Sequence, residues 1–264
     1  GLTPPQDRAW NLGTTLYYKA GGKPWRLSTA RDGVSYIGVT FKKAELNEDE
    51  KTACCAAQMF LDTGDGVVFL GQKGPWYSPK DDQFHLSEEA AKQLIQGVLK
   101  NYNNLEGKPL KEIFLHCRSE ISEKEFKAYK EACPSGVKVV GIRVRMDRNM
   151  KLYRPGRKPV IRCTFLKINE RSGYLWASGF KPRLETYDGW EVPVPLKIDI
   201  QHGEADIELV AKDIFGLTKL NYNACKLGDA QPVTIMFSNA VGDVLVSNPA
   251  VKESDTEWRL SFYI

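Results

Sequence analysis

The sequence predicts a mixed α/β domain in which an antiparallel meander of three strands is extended by parallel strand–helix–strand units. Three observations carry this. Short β-rich runs, two of them joined by a glycine-rich turn, fill the first third of the chain. Segments with helical apolar spacing then alternate with short apolar runs. No GxGxxG follows the first strand, as a doubly wound nucleotide-binding sheet would need, and no GxxxxGK[ST] occurs. The 264 residues, 42% hydrophobic and 27% charged, can build a core without disulfides or a metal to staple it.

Residues 7–20 place apolar groups at Trp10, Leu12, Leu16, Tyr17 and Ala20, which suits a helix that Gly21-Gly22 stops. After the connection begun by Lys23-Pro24-Trp25, residues 35–42 are β-rich through Tyr36, Ile37, Val39 and Phe41. Residues 53–61 and 67–70 read as two more strands around the hairpin turn Asp62-Thr63-Gly64-Asp65-Gly66. Ser87 with Glu88 and Glu89 opens a helix in capping fashion, running to about Tyr102. A short apolar strand follows at 113–117, then a helix with an acidic first turn at 122–133 and a strand at 137–145. That order is the ribonuclease H core, a mixed five-stranded sheet flanked by helices. C-terminal extensions follow as strands near 160–168, 173–178 and 194–200, a helix at 204–215, a strand at 233–237, a helix from Asn239 and an aromatic apolar tail, Trp258 to Ile264.

Charge and cysteines narrow little. The net charge of +4, from 37 basic and 33 acidic residues, identifies no partner alone. The six cysteines, Cys54, Cys55, Cys117, Cys133, Cys163 and Cys225, lack CxxC or Cys/His ligand spacing and read as reduced, buried thiols of a cytoplasmic protein. No apolar stretch approaches the roughly 18 residues of a membrane span, and nothing resembles a signal peptide.

Six segments in order resemble the PIWI region of Argonaute proteins. Trp10-Asn11-Leu12-Gly13 through Tyr18-Lys19-Ala20-Gly21-Gly22 is similar to the last helix of the MID domain, which ends in lysine-X-glycine-glycine. Tyr36-Ile37-Gly38-Val39-Thr40 resembles the first PIWI strand with its Gly-X-Asp, and Cys117-Arg118-Ser119-Glu120 the Arg-Asp-Gly at the end of the fourth. Val144 to Arg148 and on through Lys151-Leu152-Tyr153 resembles the basic segment after the fifth strand. Leu217 to Asn223 and Met236-Phe237-Ser238-Asn239 resemble two C-terminal blocks. The resemblance implies residues 1–30 as the end of MID and a linker, and 31–264 as a PIWI domain. Lys19 then grips a guide 5′-phosphate, and the Ile264 carboxylate docks there and helps hold Mg²⁺. Arg145, Arg148, Lys151, Lys181, Arg183, Asn221, Asn223 and Lys226 fall on nucleic-acid-contacting regions. The resemblance further implies an inactive, short prokaryotic type that binds guide RNA, pairs with target DNA and works with an APAZ-containing effector of TIR, sirtuin-like or nuclease kind.

Phosphodiester hydrolysis on this fold uses two divalent metals about 4 Å apart, bridged by carboxylates. The matching positions carry Thr40, Ser119 and Asn239, none ionisable near neutrality. Asp62 and Asp65 suit a turn, and Glu88 and Glu89 a helix first turn. Glu120 stands beside Ser119 and offers itself to the old site or to Arg118. None of His85, His116 and His202 has the motif context of a base for Ser119, and His116 reads as a core residue. Arg143, Arg145 and Arg148, then Lys151, Arg154, Arg157, Lys158, Arg162 and Lys167, form the basic series. Tyr222 reads equally as core or contact. Guide-directed binding without cleavage is therefore the expectation. A nuclease using other acids and a scaffold for an effector stand beside it.

Overall fold

The computed structural model describes residues 4–27, 31–43, 53–60, 66–74, 77–78, 83–103, 109–222, 226–236 and 258–259. Helix α1 (Pro5–Lys19) leads to the meander β1 (Val34–Lys43), β2 (Ala53–Phe60) and β3 (Gly66–Gly74). A small hairpin, β4 (Tyr77–Ser78) and β5 (Gln83–Phe84), precedes α2 (Glu88–Asn103), β6 (Glu112–Cys117), α3 (Glu123–Ala132) and β7 (Lys138–Met146). Then come β8 (Thr164–Asn169), β9 (Ser172–Trp176), β10 (Leu196–His202), α4 (Ile207–Leu217) and β11 (Trp258–Arg259).

The sheet order is β11-β3-β2-β1-β6-β7-β10-β9-β8. Its middle is the expected five-stranded ribonuclease H core: an antiparallel meander, with β6 and β7 added in parallel to β1. The extensions do not form a separate layer. Strands β10, β9 and β8 continue the same sheet antiparallel from β7.

Central strands are covered on both faces and so read as near-continuous apolar runs. Ile37, Val39, Ile113, Leu115 and Cys117 pack under α2 and α3 on one face. Val34, Tyr36, Phe114, Ile142, Val144 and Ile198 pack under α4 on the other. Each Ile or Leu fully buried here contributes roughly 1.5–3 kcal/mol against exposure. Local signals close the helices. Ser122 and Glu125 form a reciprocal capping box on α3, and Ser87 Oγ accepts from the Ala90 amide, as its capping position predicts. Gly21, at φ +92°, ends α1. Its amide donates to the Tyr18 carbonyl and that of Gly22 to the Tyr17 carbonyl, the two bonds of a Schellman stop.

Two expectations are corrected. Residues 233–236 are a helical turn, not the strand expected at 233–237. The Ile235 and Met236 amides donate to the Pro232 carbonyl at 3.0 and 3.1 Å. Proline suits a first helical turn, and the β-branched Val233, Thr234 and Ile235 are all buried by packing onto the sheet face instead. Cys163 is exposed, at φ +75°, where a buried thiol was expected. Cys117 is buried, whereas Cys54, Cys55 and Cys225 lie where side chains are not described. No helix among the described residues is long and apolar enough to cross a membrane.

Candidate nucleic-acid interface

The register places Thr40 and Ser119, the positions expected to have lost their carboxylates, at neighbouring strand ends. Strands β1 and β6 are parallel and their last pair is Val39↔Cys117. Thr40 lies one residue beyond that pair on β1 and Ser119 two residues beyond it after β6. Thr40 is buried and Ser119 half-buried. Asn239, Asp62 and Asp65 lie outside the described residues. Two hydroxyls do not fit a pair of divalent cations, which need charged oxygens. No group of three or more His, Cys, Asp or Glu placed to hold a metal occurs among the described residues.

A backbone contact explains the glycine beside Thr40. Gly38 faces the helical turn at 233–236, and a Cβ on it would fall 1.8 Å from the Thr234 carbonyl oxygen. A glycine inside a strand signals such an approach. The Thr234 hydroxyl lies 3.0 Å from Nδ1 of buried His116. Burial pushes the His116 pKa down to about 3, so this is a neutral core histidine, as its apolar strand suggests.

Beyond these strand ends lies an open cleft of about 450 Å³. Arg118, Arg145, Asp147, Arg148 and Asn149 line it together with Leu196, Gln231, Pro232 and Ile235. Ligands of open α/β sheets bind at such carboxyl ends. The Asp147 carboxylate accepts from the Asn149 amide at 3.0 Å, a local turn that puts Arg148 at its tip. Arg118, Arg145 and Arg148 are exposed and have no carboxylate within ion-pairing distance among the described residues. Arg143 differs: its Nε donates to the Arg118 carbonyl at 3.2 Å and its guanidinium lies 3.7 Å from Glu120. Glu120 is thus beside Arg143. Burial, then the like charge of Arg145, lowers the Arg143 pKa.

Other basic residues serve the fold. Arg162 donates to the carbonyls of Ala177 and Leu227 and to the Thr218 hydroxyl. Arg171 donates to the carbonyls of Ile200 and Gly203, both at 3.0 Å. Arg31 donates to buried Asp213 at 2.7 Å and reaches Glu112 at 3.5 Å. Lys167 pairs with Glu170 at 2.7 Å.

The remaining expected residues separate. Lys151 is exposed beyond the cleft. Lys181 is paired with Asp188, and Arg183 is exposed in the adjoining turn Pro182–Leu184. Lys19 is exposed at the end of α1, apart from the cleft. That end is stitched to the segment after α4: Tyr18 packs on Tyr222 with ring centroids 5.0 Å apart, and Trp25 meets Tyr222 edge-on at 4.9 Å. The Tyr222 hydroxyl donates to the Trp25 carbonyl at 2.8 Å and Trp25 Nε1 to the Lys219 carbonyl at 2.7 Å. Tyr222 is therefore core. Asn221 donates to Asp229 at 2.8 Å, and Lys226 pairs with it at 2.6 Å. The helix end that carries Lys19 thus packs on the segment that carries Asn221, and none of Lys19, Asn221 and Lys226 lines the cleft. Asn223 and Ile264 lie outside the described residues. Sequence reasoning did not find Asp147, Asn149 or Gln231; the Asp-Arg-Asn turn was the signal available.

No family model and no curated protein sequence matches the chain. Solved structures do. Clostridium butyricum Argonaute bound to a guide DNA and a 19-mer target DNA is 17% identical over 95% of this chain and 32% of its own, with a TM-score of 0.72. A. aeolicus Argonaute is 20% identical over 90% of this chain and 32% of its own, at 0.65. Aa-Ago with externally bound siRNA is 19% identical over 94% and 32%, also at 0.65. The chain spans about a third of the length of these proteins. Together with the sheet order, these matches show that the chain has the ribonuclease H-like fold of the Argonaute PIWI region.

Proposed function

We propose that this chain is the PIWI half of a catalytically inactive short prokaryotic Argonaute, which holds a guide strand and recognises a complementary strand without cutting it. One observation carries the reading. Arg118, Arg145 and Arg148 line a cleft and pair with no carboxylate among the described residues, beside positions where Thr40 and Ser119 supply no carboxylate. Cations left unpaired at a strand-end cleft suit a row of phosphates. Hydroxyls in place of acids leave no charge to gather catalytic metals. The guide is RNA and the target DNA in this reading, and base pairing, not the protein, supplies the sequence specificity. Lys19 meets the guide 5′-phosphate, with the Ile264 carboxylate and a Mg²⁺ completing that pocket. Pairing is reported by an APAZ-containing effector through a population shift biased by the bound duplex.

The test loads the protein with a 5′-phosphorylated guide and adds labelled matched target with Mg²⁺ or Mn²⁺. Target is bound and stays intact. Guide-directed cutting that is lost on Glu120→Ala or Asp62→Ala would overturn the inactive reading in favour of a nuclease using other acids. Failure of any nucleic acid to bind would favour an effector scaffold. Lys19→Ala weakens 5′-phosphorylated guides about 10- to 150-fold, the range of one charge-assisted contact, and leaves 5′-hydroxyl guides nearly unchanged. Equal losses for both guides would remove Lys19 from the pocket.

A further inference from the structure

Arg145 belongs to a row across the sheet as well as to the cleft. Strand register sets Arg145 opposite Lys197 on β10, Lys197 opposite Tyr174 on β9, and Tyr174 opposite Leu166 on β8. Directly opposed residues of antiparallel strands share a face, with Cβ atoms about 4.5–5.5 Å apart. Four side chains therefore cross the extension in one line that starts in the cleft lining. The opposite face is the one that α4 covers, through Val144, Leu175 and Ile198. Helix α3 meets β10 at its far end, where Phe126 stacks on His202 at 4.6 Å. The row itself is accessible: Arg145 and Leu166 are exposed, and Lys197 and Tyr174 are half-buried.

The first two members of the row are like charges, and like charges directly opposite each other destabilise a strand pair. Arg145 forms no ion pair among the described residues. Asp199 offsets part of the charge on Lys197, whose Nζ lies 3.7 Å away, but it also accepts from the Ser172 hydroxyl at 2.6 Å. A loose, partly exposed pair of that kind contributes little. Row and cleft are one continuous surface. The Tyr174 hydroxyl donates to the Asp147 carboxylate at 3.3 Å, and Asp147 lines the cleft.

We propose that Arg145 and Lys197 hold one phosphate of the bound strand between them, so that the strand leaves the cleft over the open face of β10 toward Tyr174. The inference rests on the cleft holding nucleic acid. A phosphodiester supplies anionic oxygens that satisfy both cations at once and relieve their repulsion. Neighbouring phosphates along the same backbone then fall to the arginines of the cleft.

The experiment titrates Lys197→Gln, which removes the charge and keeps the stem, with a single-stranded oligonucleotide over a range of salt. The variant binds about tenfold more weakly, the lower end for a charge-assisted contact because Asp199 competes for the lysine. Its slope of log affinity against log salt is shallower by about 0.7. Lys197→Arg binds like wild type. So does Lys167→Gln, on the opposite face of the same extension; an equal loss there would assign the effect to net charge and overturn the inference. Combined with Arg145→Gln, the loss departs about twofold or more from the product of the single losses, because both cations meet one phosphate. Strictly multiplicative losses overturn the shared contact, and a Lys197→Gln line that coincides with wild type overturns it outright. The loss persists in an Asp199→Asn background; its disappearance there would show that Lys197 only screens that acid. Arg118→Gln with Arg148→Gln separates this inference from the reading beneath it. If that variant weakens binding and Lys197→Gln does not, the inference alone falls; if neither does, the cleft reading falls with it.

Discussion

The cleft and the seam between α1 and the segment after α4 contain similar polar residues and use them in opposite ways. In the seam, Asn221 and Lys226 converge on Asp229, whose side chain is buried. Trp25 and Tyr222 close on backbone carbonyls. In the cleft, Arg118, Arg145 and Arg148 form no ion pair among the described residues, although Asp147 shares the lining. A buried acid with two donors stabilises the folded chain, whereas adjacent unneutralised cations cost stability through repulsion. The difference teaches that polar residues in matching sequence blocks need not share a role: one region spends its charges on the fold, and the other keeps them for a ligand.

The contrast breaks most sharply at Gly38. Gly38→Ala drives a Cβ into the Thr234 carbonyl, and backbone cannot rotate aside as a side chain can. The expected cost is at the upper end of the roughly 1–3 kcal/mol of an overpacked core. Displacement of the turn also removes Pro232 and Ile235 from the cleft rim. Denaturant unfolding and oligonucleotide binding are both expected to fall; unchanged stability would show that the turn does not seat on β1.

Asp229→Ala tests the other region. It takes away the acceptor of Asn221 and the partner of Lys226, at about 1–3 kcal/mol for a broken buried set. Oligonucleotide affinity should not fall, since the cleft is untouched and Lys226 is released as a free cation. A binding loss larger than the stability loss would mean that the seam itself contacts the ligand.

A pH series sharpens the picture of the rim. Burial lowers the His116 pKa to about 3 from an ordinary 6.5. The unfolded chain therefore binds a proton that the folded chain refuses, and stability falls as pH drops from about 6.5 toward 3. Between pH 7 and 5 this contributes a loss on the order of 1–2 kcal/mol. His116→Gln should flatten that part of the curve, read as the difference from wild type in urea midpoints at the two pH values. Parallel curves would contradict a neutral His116 under the turn.

Much of the fold was legible because its signals are local. The meander, the Ser122 capping box and the Gly21-Gly22 stop each follow from a few neighbouring residues. The turn at 233–236 was not legible. Its β-branched residues favour a strand, and what decides otherwise is long-range packing of Thr234 against Gly38 and His116. For the site, Arg145 and Arg148 follow from a basic run at a strand end. That Arg143 is engaged by Glu120, and Lys226 by Asp229, depends on contacts between segments that sequence spacing does not encode. Asp147 escaped because its part is to turn the backbone, which residue type alone suggests only weakly.

The central claim is that the cleft is a phosphate-binding surface kept charged for a nucleic-acid strand. The direct measurement is affinity for a single-stranded oligonucleotide over a range of salt, for wild type and for Arg118→Ala/Arg145→Ala/Arg148→Ala. Each cation on a phosphate of a single strand contributes about 0.7 to the slope of log affinity against log salt, so the triple variant should bind more weakly with a slope shallower by about two. Its unfolding midpoint should not fall below that of wild type, because none of the three guanidiniums is paired with an acid in the described fold and their mutual repulsion is removed. Parallel salt lines with equal affinities would contradict the account.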